Sequence, residues 1–312
     1  MKNIVVFGGG TGLSHILKGL KLFPVNVSAI ISVADNGRST GVLKKELNIP
    51  AVGDVGKVLI SMANVGKEMT DLLSYRFTNL SVENHPIRNL MLAALIETEG
   101  NLSKATNFMC KLLNIKGSII PITDEQVELI GITSNNDYIY GEEQITKSCK
   151  IIEEIKYNKE FVVNQAVIKA IKDADLIVIS PGSLLTSISP HLIVKEVRDA
   201  INESAAKKMY ISNIFTQPGE TDNFKVSDHI KYLQRYINID VVISNNKKIP
   251  KKTLIKYEKE EQKDYVIFDK KNVDKMFIKY ILDKLYCFED GTIKHDSLKT
   301  AYHIFSYLME EN

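Results

Sequence analysis

Short apolar runs rich in branched residues punctuate this chain, and stretches with helical spacing separate them. The first run, Ile4-Val5-Val6-Phe7, has the length and branching of a buried strand. Leu13, Ile16, Leu17 and Leu20 then recur at helical intervals, and residues 27–33 form a second buried run. Strand, helix and strand at this separation make a βαβ unit whose strands are parallel. The next stretch reads as helical over 54–64, around Asp71, over 89–97 and over 102–113, the last with Asn101 or Ser103 near its cap. From Gly117 the period shortens. Residues 118–122, 127–132 and 137–142 read as short strands or hairpins, which predicts an antiparallel, β-rich insertion over 117–160. Alternation then resumes, with helices over 164–172, 191–203 and 227–236 and strands over 175–180, 208–213 and 239–244. That order predicts an α/β fold with a mostly parallel sheet covered by helices on both faces. Residues 247–284 are dense in Lys, Glu and Asp and read as a solvated, mobile segment, before a final amphipathic helix over 298–309.

Composition narrows the class. At 312 residues and 44% apolar, the chain has ample material for a core. A formal charge of +2 gives no reason to expect nucleic acid or a membrane surface as partner. Cys110, Cys149 and Cys287 are odd in number and widely spaced, which suits a reducing compartment and argues against a disulfide framework. No apolar run has the length of a membrane span or the form of a signal peptide, so the expectation is a cytoplasmic protein.

The polar chemistry gathers after the strands. Gly8-Gly9-Gly10-Thr11-Gly12 joins the first strand to its helix, an arrangement that places backbone N–H groups against an anion. It matches neither the dinucleotide fingerprint, which requires glycine where Leu13 stands, nor a P-loop. Read alone, it suits a phosphate cradle and a plain tight turn equally. Three further polar loops follow strands: residues 35–41, 180–187 and 213–221. All four lie at carboxyl ends of parallel strands, the edge where such sheets bind ligands, and together they predict one cleft. Asp35 stands where an acid would reach a ribose hydroxyl, or where an Asx turn would form. Asp54 reads as a helix-capping residue or a Mg²⁺ carboxylate, and His85 as a loop histidine. Histidines 15, 191, 229 and 303 make no metal-ligand pair, which excludes a zinc site of that kind.

These loops also carry a resemblance. Gly8-Gly9-Gly10-Thr11-Gly12-Leu13, Ala34-Asp35-Asn36-Gly37-Arg38-Ser39-Thr40-Gly41, Pro181-Gly182-Ser183-Leu184-Leu185-Thr186-Ser187 and Thr216-Gln217-Pro218-Gly219-Glu220-Thr221 resemble the YvcK family of bacterial gluconeogenesis factors. That family is related to CofD, the 2-phospho-L-lactate transferase. The resemblance implies a Rossmann-like three-layer single domain over residues 1–312, whose cleft holds a nucleotide diphosphate, typically UDP-N-acetylglucosamine. It implies a regulatory role in gluconeogenic carbon metabolism, cell-wall precursor supply and cell shape, with no catalytic residue and no required cofactor. The CofD alternative is a Mg²⁺-dependent transferase using a nucleotide-activated acid, with Asp54 as a metal ligand.

Carried onto this chain, the ligand site comprises Gly9, Gly10, Thr11, Gly12, Leu13, Asp35, Asn36, Ser39, His85, Asn89, Gly182, Ser183, Asn213, Gln217, Tyr257 and Lys294. The glycine turn and Ser183 would hold the diphosphate, Asp35 and Asn36 the ribose or sugar hydroxyls, Asn213 and Gln217 the base edge. Tyr257 would stack on base or sugar, or else be a surface tyrosine, and Lys294 would neutralise phosphate. The chain departs from the family pattern at Arg38, Gly56, Lys57, Asn84, Arg88 and Lys294. Beyond the nucleotide sugar, the expected partners are a protein of carbon or cell-wall metabolism and a second copy of the chain. A scaffold whose charged segment 247–284 engages a protein is a third reading.

Overall fold

Seven strands make one parallel sheet. In chain order these are β1 (Lys2–Gly8), β2 (Val25–Ile31), β3 (Ser118–Pro121), β7 (Leu176–Ile179), β8 (Lys207–Ile211), β9 (Val241–Asn245) and β10 (Lys279–Asp283). A computed structural model supplies the structure, which describes residues 1–77, 84–148 and 150–310 without the Arg38 side chain; Cys149 lies outside it. Every neighbouring pair in this sheet runs parallel, and β1 lies between β2 and β7, with Phe7 opposite Ile30 on one side and Ile179 on the other. Ile4, Val6 and Phe7 are fully buried, as are Ile177, Val178 and Ile179, because helices cover both faces.

A second, three-stranded antiparallel sheet contains β4 (Leu129–Thr133), β5 (Tyr138–Tyr140) and β6 (Ile152–Tyr157), with β4 in the middle. The insertion is therefore smaller than its sequence outline. The strand at its expected start is β3, which pairs parallel with β2 through Ala29 opposite Ile119. Residues Glu142–Ser148 form a helix between β5 and β6.

The charged segment after residue 247 is built into the fold. It folds as helices Lys251–Glu261 and Lys270–Asp274, and then as β10, which pairs with β9 at the sheet edge. The hairpin of β11 (Tyr286–Glu289) and β12 (Thr292–His295) follows, turning at Asp290 and Gly291, both with positive φ. Helix Ser297–Glu310 closes the chain against helix Gly10–Leu20, where Gly19 permits close approach: a Cβ there would lie 2.0 Å from the Ser297 carbonyl oxygen. The single helix expected over 191–203 is instead two, Ser189–Leu192 and Lys195–Glu203. No helix among the described residues is long and apolar enough to cross a membrane.

Candidate functional site

From β1 the chain crosses over to β2 and β3, whereas β7 to β10 extend the sheet on the other side of β1. The carboxyl ends of β1 and β7 thus flank the switch point where open α/β sheets leave a crevice. The loops after these strands meet there. A Cβ on Gly12 would lie 2.0 Å from the Pro181 carbonyl oxygen, and one on Gly8 2.0 Å from Ser180 Oγ. Gly10 adopts φ +54°, a left-handed conformation that glycine takes without a side-chain clash. Helix Gly10–Leu20 begins after Gly9, which supplies no side-chain cap, so its first-turn N–H donors receive no hydrogen bond from the capping position. Thr11 is exposed in that turn, whereas the Leu13 side chain is fully buried, leaving its main chain to face any ligand. Beneath the turn, His191 Nε2 hydrogen-bonds the Gly8 carbonyl oxygen at 3.1 Å. Burial lowers the His191 pKa to about 4 and keeps the ring neutral.

The loop after β7 is closed by the protein itself. The Gly182 N–H donates to Asn213 Oδ1 at 2.9 Å, and Asn213 Nδ2 donates back to the Gly182 carbonyl at 2.8 Å. Ser183 Oγ donates to Glu220 Oε2 at 2.5 Å, and the N–H groups of Leu184 and Leu185 donate to Glu220 Oε1. Ser183 Oγ also accepts from the Thr186 N–H, capping a single π-helical turn over Leu184–Ile188. Desolvation raises the Glu220 pKa to about 7, against the opposing pull of the Ser183, Leu185 and Leu184 hydrogen bonds. Gly182, Ser183 and Asn213 are therefore brought to the cleft edge with these donors already engaged. Glu220, absent from the sequence-derived set, is the residue that engages Ser183 and the Leu184 and Leu185 N–H groups; its only signal was its place within Thr216-Gln217-Pro218-Gly219-Glu220-Thr221.

A second group lies beside the glycine turn. Lys57 Nζ donates to Asp54 Oδ1 at 2.9 Å, within one turn of helix Gly53–Met62. A Cβ on Gly9 would lie 3.0 Å from Asp54 Oδ2, so that carboxylate borders the turn directly. Asp35 forms the Asx turn, accepting the Gly37 N–H at 2.9 Å. Desolvation, then Asp54, raises the Asp35 pKa; desolvation, then Asp35 and Asp54, raises that of Glu142 well above the usual carboxylate range. Burial lowers the Lys57 pKa, but Asp54, Asp35 and Glu142 outweigh it and leave it raised. All three acids thus act on the Lys57 ammonium. No three His, Cys, Asp or Glu among the described residues are placed to hold a metal ion, and Asp54 already faces Lys57. The donor set does not form a ready-made Mg²⁺ site.

Three other expected residues come together. Ser39 Oγ lies 2.7 Å from His85 Nδ1, and Asn89 Nδ2 donates to Ser39 Oγ at 3.4 Å. Asn36 is a clamp to the insertion: its Oδ1 accepts the Glu143 N–H at 3.0 Å and its Nδ2 donates to Glu128. Gln217 borders a small cavity with Ile145 and Leu185. Burial lowers the His15 pKa and Glu289 opposes it; Lys294, on β12, is close enough to add a smaller lowering effect. Tyr257 is not a surface tyrosine. It is 6% exposed, stacks on Phe215 at 4.2 Å and accepts the Ile293 N–H through its hydroxyl at 2.7 Å. Its ring belongs to a small second core with Ile214, Ile249, Tyr286 and Ile293.

Known proteins resemble the whole of this architecture. The family model for 2-phospho-L-lactate transferase CofD matches residues 4–286. The gluconeogenesis factor of Bacillus subtilis is 36% identical over 312 residues, covering 98% of each chain. That of Halalkalibacterium halodurans is 36% identical over 305 residues, covering 96% of this chain and 94% of its own. A crystal structure of a UPF0052 family member from Bacillus halodurans superposes with a TM-score of 0.94 at 36% identity, covering 97% of this chain and 99% of that one. By sequence over nearly its full length and by fold, this chain is a divergent member of the CofD/UPF0052 family, on the side of the gluconeogenesis factors of the YvcK type.

Proposed function

We propose that the cleft binds a nucleoside-diphosphate sugar, UDP-N-acetylglucosamine first among them, and that the protein acts as a regulator and not as a transferase. The observation that carries this reading is the uncapped start of helix Gly10–Leu20 at the switch point of the sheet. A diphosphate accepts hydrogen bonds from such donors and gains from the helix dipole. In this reading Gly9, Gly10, Thr11 and Gly12 hold the diphosphate through their main chain. Ser39, His85 and Asn89 offer sugar hydroxyls both donors and acceptors, and Asp35 lies within reach of the ribose. Lys57 offsets Asp54 beside the phosphates, and Lys294 adds positive charge from β12. The Gly182–Asn213 and Ser183–Glu220 pairs build the opposite wall. The regulated process is the one named in the relatives, gluconeogenesis, joined to cell-wall precursor supply and cell shape, in the cytoplasm.

Calorimetry with UDP-N-acetylglucosamine, GDP, GTP and NAD, each with and without Mg²⁺, tests the reading. Saturable heat with the UDP-sugar, independent of Mg²⁺, is expected. Absence of heat and of any thermal shift at millimolar UDP-sugar sinks it.

The transferase reading draws on the description of the matching family model. Against it stands the Asp54–Lys57 ion pair, which a cation at Asp54 would have to displace. Metal-dependent turnover of a nucleotide-activated acid, abolished in Asp54→Asn, would favour it over the regulator.

A further inference from the structure

A cavity of about 280 Å³ opens between the starts of helices Gly10–Leu20 and Ile87–Glu99 and one face of helix Gly53–Met62. Its polar lining is Thr11, Ser14, Lys57, Ser61, Ser74 and Arg88, two cations and four hydroxyls with no carboxylate. Ser14 and Ser61 return their hydroxyl protons to their own helices, at Gly10 and Val58. Lys57 is shared with Asp54.

Arg88 is different. Among the described residues its buried Nε has no hydrogen-bond partner, and its Nη1 reaches only the Leu73 carbonyl, at 3.5 Å. Among the described residues no carboxylate pairs with it, and the one charge that acts on it is of the same sign, Arg76. Burial, then Arg76, lowers its pKa to about 10, so the guanidinium remains charged at neutral pH. Gly56 makes room for it: a Cβ there would lie 3.2 Å from Arg88 Cδ and 3.3 Å from Nε. A partly buried guanidinium with no counter-ion among the described residues is unfavourable by itself, and its planar fork suits a two-oxygen acceptor.

We propose that this cavity is an oxyanion site for a small phosphorylated or carboxylated metabolite, with Arg88 as its anchoring cation and Lys57, Thr11 and Ser74 as supporting donors. The volume of about 280 Å³ falls just below the usual range for ligand pockets and suits a phosphate or carboxylate carrying a few carbons. The site goes beyond the nucleotide-sugar reading and stands without it. Occupied, it would place a second metabolite beside the glycine turn, since Thr11 borders both.

The test is a titration of the full-length protein with inorganic phosphate, acetate and sodium chloride at matched ionic strength, following arginine side-chain Nε–H signals by NMR. The chain has five arginines, so the Arg88 signal is assignable by substitution. A saturable shift of that signal with phosphate or acetate, not with chloride, is expected; which anion saturates first identifies the ligand class. Arg88→Gln should weaken the preferred anion at least tenfold, and Arg88→Lys, which keeps charge and loses the fork, should fall between. An equal response to chloride, no saturable response, or unchanged affinity in both variants overturns the proposal. If phosphate or acetate binds while UDP-N-acetylglucosamine does not, the nucleotide reading fails and this site stands.

Discussion

The carboxylate of Glu220 locks onto the hydroxyl of Ser183 across 37 residues of chain, joining the loop after β8 to the loop after β7. The same carboxylate accepts the N–H groups of Leu184 and Leu185, so an internal anion occupies donors that a ligand phosphate could otherwise use. The neighbouring loop after β1 has no side-chain cap at Gly9, and the Asp54 carboxylate that borders it is paired with Lys57. The contrast between the two loops supports the glycine turn, over the loop after β7, as the seat of the proposed diphosphate.

Glu220 should therefore leave a signature in the pH dependence of stability. Its folded pKa of about 7 lies above the ordinary 4.5, so between those values the folded state binds more protons than the unfolded one. Its contribution is full below about pH 4.5 and is lost as pH rises through 7. A shift of that size corresponds to up to about 3 kcal/mol. The difference in urea-unfolding free energy between wild type and Glu220→Gln, measured from pH 4.5 to 8, should change by an amount of this order, in favour of the variant at the alkaline end. A pH-independent difference refutes the assignment.

Gly12→Ala should loosen the crevice. The new methyl would meet the Pro181 carbonyl oxygen at 2.0 Å, a backbone atom that cannot rotate away. Overpacking of this kind costs about 1–3 kcal/mol. Chemical denaturation should show that loss, and calorimetry should show weaker UDP-sugar binding because the turn has shifted. Wild-type stability together with wild-type affinity would mean that the two loops do not pack as described.

Lys57→Met removes a cation on which Asp54, Asp35 and Glu142 all act. The pKa values of Asp35 and Glu142, already raised, should rise further. For acids raised in the folded state, stability is fullest at low pH and falls as they ionise, so the variant should be hurt more at pH 8 than at pH 5. Because the lysine side chain is 43% exposed, solvent screening limits the expected difference to about 1 kcal/mol. A double-mutant cycle with Asp54→Asn would isolate the pair, and equal losses at both pH values would count against it.

Tyr257→Phe keeps the stack on Phe215 but removes the oxygen that accepts the buried Ile293 N–H. Leaving that donor unpaired costs about 1–3 kcal/mol. Tyr257→Ala, which also empties the second core, should lose more, about 3–5 kcal/mol. Thermal or urea unfolding decides. A neutral Tyr257→Phe would show that water replaces the hydroxyl and that the hairpin is not held from this side.

By itself, the sequence determined the parallel strands whose branched residues are buried on both faces, since that burial leaves a continuous apolar run in the chain, as in Ile4-Val5-Val6-Phe7 and Leu176-Ile177-Val178-Ile179. It also determined the alternation of β1, β2, β7, β8 and β9 with helices, and so the edge at which the polar loops collect. Tertiary structure alone decided which runs share a sheet: β3 carries the local signature of a hairpin strand yet pairs parallel with β2. It decided β10 as well, an edge strand with no fully buried residue, whose Lys279 and Asp283 ends merge with the surrounding charge. Sheet membership depends on long-range hydrogen bonds, which leave no periodicity in the chain. The site divides in the same way. Glycines that must turn or pack closely are visible as glycines, but Glu220 on Ser183, Phe215 on Tyr257 and Arg88 over Gly56 are contacts between distant residues that only the folded chain brings together.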